Sequence, residues 1–376
     1  MTSATPGRRL LAIRIAACLA GFCTFINLYS PQAILPLLSD ELGVDAKGIS
    51  AIISASTLAV ALIAPFSGTV ADVLGRKRVI VTAMVVLSIP TAFSAFAHSL
   101  DALIMWRFLQ GLAMPPVFAV TIAYIGEELS PREATAVTGV LADAVSWHFA
   151  FLCIAAMTVA GAVLVAVLLP RERRFVKSEG LLASGRQMLR HLRNPQLVAT
   201  YAVGFGVLFN FIATFTFISF RLAAPPYNLS PTLLGVIFVT YLTGTAATPL
   251  TGRFVGRFGR RNFVLLAIGI WLCGIALTLL GPMWIILVGL SISACCGMLC
   301  QAVSTGHVAI TAQAGRSSAV GLYVTSFYIG GSLGAAIGGV AWISGGWPAC
   351  VAMIAAMLTI MGTIVTLTWR TAQPKA

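Results

Sequence analysis

Long apolar runs recur along the whole of this chain, at 12–38, 49–71, 79–98, 102–126, 147–169, 197–220, 231–252, 262–280, 283–308, 317–343 and 347–369. A helix needs ~20 apolar residues to cross a hydrocarbon core of ~30 Å. Eleven such runs, most joined by short polar links, leave nothing to face water around a soluble core. The chain is therefore expected to be an all-α integral membrane protein. Only 9% of its residues are charged and 59% are apolar, where a soluble domain carries roughly 25% charged residues. Mean hydropathy is +0.95, and no polar stretch is long enough for a separate soluble domain. A secreted enzyme and a water-soluble regulator are excluded.

The net charge of +13, from 24 Lys and Arg against 11 Asp and Glu, would suggest nucleic acid in a soluble protein. Its placement argues for a membrane instead. The basic residues cluster at Arg8, Arg9 and Arg14, at Arg76, Lys77 and Arg78, along Arg171 to Arg193, at Arg253, Arg257, Arg260 and Arg261, and at Arg370 and Lys375. This is the positive-inside pattern. It predicts cytoplasmic N- and C-termini and sets Asp40, Glu41, Asp45 and Asp101 on the opposite side of the membrane. The N-terminal run is too long for a signal peptide and is interrupted by Arg14. All eight cysteines lie in apolar runs without metal-ligand spacing, which reads as helix packing.

The chain repeats itself. Pro65, Gly68, Gly75, Arg76, Lys77 and Arg132 lie 184 positions before Pro249, Gly252, Gly259, Arg260, Arg261 and Arg316. The expected organisation is an N-terminal bundle at 1–170, a basic cytoplasmic linker at 171–196 and a C-terminal bundle at 197–376. Two parallel repeats joined by a basic loop are an established transporter architecture.

The segment GTVADVLGRKR, Gly68 to Arg78, resembles the loop motif of the major facilitator superfamily, with Gly68, Asp72, Gly75, Arg76, Lys77 and Arg78 matching and Val73 replacing a basic residue. GRFVGRFGRRN, Gly252 to Asn262, is its degenerate copy, and MWRFLQG, Met105 to Gly111, matches the superfamily's R-x-x-x-G element at Arg107. The opening LYSPQAILPLLSDELGV is similar to the bacterial twelve-helix efflux branch, the YnfM-like and arabinose-efflux-like permeases. The resemblance implies the major facilitator fold of two six-helix halves, nominally 12 transmembrane helices. It also implies that the loop motif acts as a conformational latch.

Helix five is short. Gly139, Val140 and Trp147 align with Gly339, Val340 and Trp347 at an offset of 200, so sixteen residues are missing from the first half. The remaining Ala134 to Val145 is twelve residues, ~18 Å against a core of ~30 Å. Full spans alone then give five crossings between the two basic loops that should share a side. The missing stretch is also where the superfamily's antiporter motif lies. Two readings follow: a secondary transporter, and a truncated non-transporting member or membrane sensor.

Polar groups inside spanning helices are costly and default to function. Arg107 leads, and the resemblance puts it near the proton or substrate path. No acidic residue occupies the middle of a full span; Glu127 and Glu128 close helix four. Asn27, Tyr29 and Gln32 in helix one, Asn210 in helix seven and Gln301 in helix ten complete the candidate path. Phe205, Phe209, Phe215 and Phe217 suit an apolar substrate, His148 and His307 read as packing, and the glycines from Gly330 to Gly339 read as close packing of helix eleven. No phosphate loop, metal-ligand set or nucleophile arrangement is present, so the chain is read as neither an ATP-driven pump nor an enzyme. The expectation is a monomeric, cofactor-free secondary transporter. It would export a drug-like or sugar-like molecule, coupled to protons, by alternating access.

Overall fold

The computed structural model describes residues 6–124, 147–169, 181–312 and 316–369, and all regular secondary structure among them is helical. The first half holds α1 (Pro6–Tyr29), α2 (Leu35–Leu42), α3 (Ala46–Leu74), α4 (Arg76–Ser94), α5 (Leu100–Tyr124) and α6 (Trp147–Leu168). The run read as one helix over 12–38 is instead two. α1 stops at Tyr29, a 3-10 turn occupies Ser30–Ala33, and α2 follows. Pro31 is the cause: it has no N–H, so the Asn27 carbonyl four residues earlier loses its helical partner.

Within the basic linker stands α7 (Leu181–Leu192), a helix that no long apolar run marks. The second half begins with α8 (Pro195–Ala223), where the Asn194 side chain accepts from the Gln196 amide. α9 (Pro231–Ile237), α10 (Tyr241–Ala247) and α11 (Thr251–Phe258) are joined by 3-10 stretches into one span, Pro231–Phe258. α12 (Arg260–Leu277), α13 (Met283–Thr311) and α14 (Arg316–Thr368) follow. α14 is broken at Gly345 and Gly346, the latter at φ 61°, so it forms two arms at the boundary expected between 343 and 347.

Eight helices among the described residues are long and apolar enough to cross a membrane. α14 provides two arms, and α1 and α5, of 24 and 25 residues, also reach across at ~1.5 Å per residue. The halves keep register. α3 turns into α4 at Gly75 (φ 90°, ψ 129°) and α11 turns into α12 at Gly259 (φ 75°, ψ 154°). A single residue with positive φ reverses the chain at both places, which glycine does at least cost.

Small residues set the helix spacing. A Cβ on Gly111 of α5 would collide with the Ser56 carbonyl of α3, and one on Gly330 or Gly334 of α14 with the backbone of Phe205 or Phe209 in α8. The halves meet along α3 and α14. Ser54 Oγ donates to the Ser332 carbonyl and Ser332 Oγ to that of Ser54, both at 3.0 Å. Ser50 Oγ donates to the Ala335 carbonyl at 3.3 Å, and Thr325 Oγ1 to that of Ala61 at 3.3 Å. Gly339 lies on the backbone of Lys47, and Gly321 on that of Pro65.

Candidate functional site

Arg107 is fully buried in α5. Its guanidinium takes up two carbonyls at the end of α1, one of them the carbonyl that Pro31 leaves without a helical partner: Nη1 donates to the Asn27 carbonyl at 2.5 Å and Nη2 to that of Leu28 at 2.9 Å. Nη1 also donates to Gln110 Oε1 at 2.5 Å and Nη2 to Ser56 Oγ at 3.2 Å. Among the described residues every partner is a neutral oxygen, and Nε has none. A bare charge in an apolar bundle is expensive. Here it is held by the dipoles of a broken helix, where unpaired C=O groups carry partial negative charge.

The network extends outward from Gln110 and Asn27. Gln110 Nε2 donates to Thr91 Oγ1 at 3.0 Å and to Ser94 Oγ at 3.4 Å. Thr91 Oγ1 lies 2.6 Å from Asn27 Oδ1, and Asn27 Nδ2 donates to Thr158 Oγ1 at 2.9 Å. One buried polar cluster thus ties α1, α3, α4, α5 and α6. The sequence reading named Asn27 and Arg107 but missed Gln110, Ser56, Thr91, Ser94 and Thr158. Two signals were available: Gln110 follows Arg107 by one helical turn, and Pro31 follows Asn27 by four residues.

Beyond the break, the same strand of chain runs into the second half. Tyr29 is buried and stacks on Phe25 with ring centroids 5.6 Å apart. Gln32 Nε2 donates to Thr216 Oγ1 of α8 at 3.1 Å, across a separation of 184 residues. That is the repeat interval, so Gln32 meets its own counterpart, as it must where a pseudo-two-fold axis passes between the halves. Its Oε1 is buried without a partner.

The remaining candidates are not brought into this cluster. Asn210 is buried in α8, with Nδ2 3.4 Å from Met361 Sδ on the second arm of α14. Gln301 is half-buried in α13, where its carbonyl accepts from Thr305. Of the four phenylalanines, Phe205 and Phe209 stack together against the α14 glycines, and Phe217 stacks near Trp342 over Gly338. Phe215 faces inward instead. It meets Tyr241 edge-on with centroids 4.4 Å apart, within a group that includes Phe211 and Phe238.

In the loop motif, Gly68 and Asp72 lie in α3, Gly75 makes the turn, and Arg76, Lys77 and Arg78 open α4, with Lys77 half-buried and Arg78 exposed. His307 packs on Trp369 at 4.4 Å and its Nδ1 lies 2.9 Å from Thr200 Oγ1. Ala134 to Val145, Glu127 and Glu128 lie outside the described residues.

Two helical halves repeated in register, meeting along α3 and α14 with a polar cluster buried beside their axis, define a multi-pass membrane transporter. The chain belongs to the Major Facilitator Superfamily, whose model matches residues 17–140 and 203–376. It is 30% identical over 374 residues to the inner membrane transport protein YnfM of Escherichia coli (strain K12), covering 94% of this chain and 89% of that one. It is 32% identical over 170 residues to the putative multidrug resistance protein MdtD of Klebsiella pneumoniae (strain 342), covering 39% of this chain and 36% of that one. A crystal structure of the nucleoside transporter NupG superposes with a TM-score of 0.76 at 16% identity, over 97% of this chain and 100% of that one, a likeness of fold. Like the rest of its family, the protein is a transporter of small molecules and not an enzyme.

Proposed function

We propose that this protein is a proton-coupled exporter of a small organic molecule, drug-like or sugar-like, working by alternating access in the inner membrane with both termini cytoplasmic. The observation that carries the reading is the Arg107 cluster. A buried cation whose partners among the described residues are neutral dipoles, tied to five helices of one half and lying at the helix-one break that leads to the Gln32–Thr216 contact, couples the local site to the packing of the halves. Rocking of one repeat against the other about a midplane site is how such duplicated transporters work. The direction of transport rests on the similarity to a multidrug resistance protein over part of the chain. In this reading the path runs past Asn27, Tyr29, Gln32 and Arg107, with Asn210 and Gln301 further inside the second half. The Gly68 to Arg78 motif acts as a latch, and the bundles divide at 171–196.

The test is retention of fluorescent drugs and labelled sugars in cells carrying wild type, Arg107→Ala or empty vector, with and without a protonophore. Wild type should retain least, and the protonophore should abolish the difference. Equal retention in all three overturns export.

A second reading, a non-transporting scaffold, is kept by one observation: the family match stops at residue 140 and resumes at 203, a gap that opens within the shortened fifth helix. A reporter fused after Ser184 discriminates. A cytoplasmic reporter supports the transporter, and a periplasmic one supports the scaffold.

A further inference from the structure

The helix in the linker has a character that the transport reading does not use. α7 packs against α8, α14 and α3, and on that side Gln187 Oε1 lies 3.3 Å from Ser318 Oγ. Its other side is exposed and mixes two chemistries. Leu189 and Leu192 are 65% and 51% exposed, and Arg186, Arg190 and Arg193 are exposed beside them at helical spacing. Residues 181–194 contain no Asp or Glu. Leucines this open are unfavourable in water, and three arginines this close repel one another unless an anionic partner is present.

The helix also sits at a defined depth. Only Arg193 and Asn194 separate α7 from α8, and α8 has 29 residues, ~44 Å at 1.5 Å per residue against a core of ~30 Å. The start of α8, and α7 with it, therefore falls in the headgroup layer. Between α7 and the nearby ends of α8 and α13 lies a cleft whose lining includes Gln187, Arg190, His191 and Asn194 together with Leu197 and Ile310. That mixture of basic, polar and apolar side chains suits a phosphate headgroup with its acyl chain beside it.

We propose that α7 is an interfacial helix that binds anionic phospholipid, with Arg186, Arg190 and Arg193 on the headgroup phosphates and Leu189 and Leu192 in the outer hydrocarbon. The site couples lipid charge to the linker between the halves, and it is independent of which solute is carried. Basic residues at an anionic surface strengthen binding by roughly fivefold each.

The experiment uses the full chain purified in detergent and offered phosphatidylglycerol or phosphatidylcholine, with retained lipid measured by native mass spectrometry on the folded, monodisperse fraction. Wild type should retain phosphatidylglycerol over phosphatidylcholine. The triple change of Arg186, Arg190 and Arg193 to Gln should lower that retention by at least about tenfold, and the triple change to Lys should restore most of it. Equal retention of the two lipids by wild type, or equal phosphatidylglycerol retention by wild type and the Gln variant, overturns the proposal. If the Gln variant does not fold, wild type decides: loss of phosphatidylglycerol at high salt supports the site, and indifference to salt overturns it.

Discussion

At equivalent positions the two halves have made opposite choices. In the first, Asn27, Ser56, Thr91, Arg107 and Gln110 form one hydrogen-bonded cluster. Their counterparts 184 residues on are Phe211, Thr240, Ile275, Ser291 and Ala294, and there Phe211, Phe215, Phe238 and Tyr241 fill the space with rings. The backbone is repeated but the interior chemistry is not. A polar cluster in a bundle fixes helix positions through directional bonds, and an aromatic cluster holds them through dispersion and ring geometry.

The largest break in this comparison is Arg107→Ala. It orphans two helix-end carbonyls and Gln110 at once, and it should abolish transport and cost about 3 kcal/mol of stability, by the worth of charged hydrogen bonds. Arg107→Lys should fall between, because an ammonium cannot span two carbonyls as the guanidinium does. Melting in detergent and transport in proteoliposomes measure both effects.

Gly111→Ala follows. Its methyl group would meet Ser56 and Ala59 of α3, and the helices should separate at a cost of about 2 kcal/mol, within the usual range for overpacking. Equal thermal stability of Gly111→Ala and wild type would show that the α3–α5 contact is looser than the structure has it.

Asn27→Ala should cost about 1 kcal/mol, because it loses bonds to Thr158 and Thr91 while leaving its carbonyl on Arg107. Transport should be slowed but retained, which separates the side chain's role from that of the backbone.

The smallest stability effect belongs to Gln32→Ala. One interhelical hydrogen bond in a membrane is worth about 0.6 kcal/mol, so melting should scarcely move. Gln32 also lies where the halves exchange a contact, so the rate of interconversion between inward- and outward-open forms, read by accessibility labelling, should change more than stability does. An unchanged rate would remove Gln32 from the moving interface.

Much of the scaffold was legible in the residues because hydrophobic length and charge placement act locally. The runs gave the spans, the paired glycines at Gly75 and Gly259 marked the two turns, and the interval between them gave the repeat. Helix one was misjudged because its apolar run continues through Pro31: hydropathy does not register the missing N–H, whereas the hydrogen-bond pattern does. The α7 helix was missed for the opposite reason, since a basic linker with a few leucines shows no apolar run.

The sequence by itself determined that this chain lies in a membrane, that its halves are copies, and that one arginine is buried within a span. Each follows from transfer free energies that depend only on residue type and order. Only the tertiary structure decided what surrounds that arginine. Its partners are backbone carbonyls of α1, the Ser56 hydroxyl of α3 and the Gln110 amide one turn along its own helix, and a carbonyl has no signature in sequence. It also decided that Gln32 touches Thr216 and that Asn210 turns toward Met361, because helix rotation is set by packing against neighbours and not by the apolar character of a run.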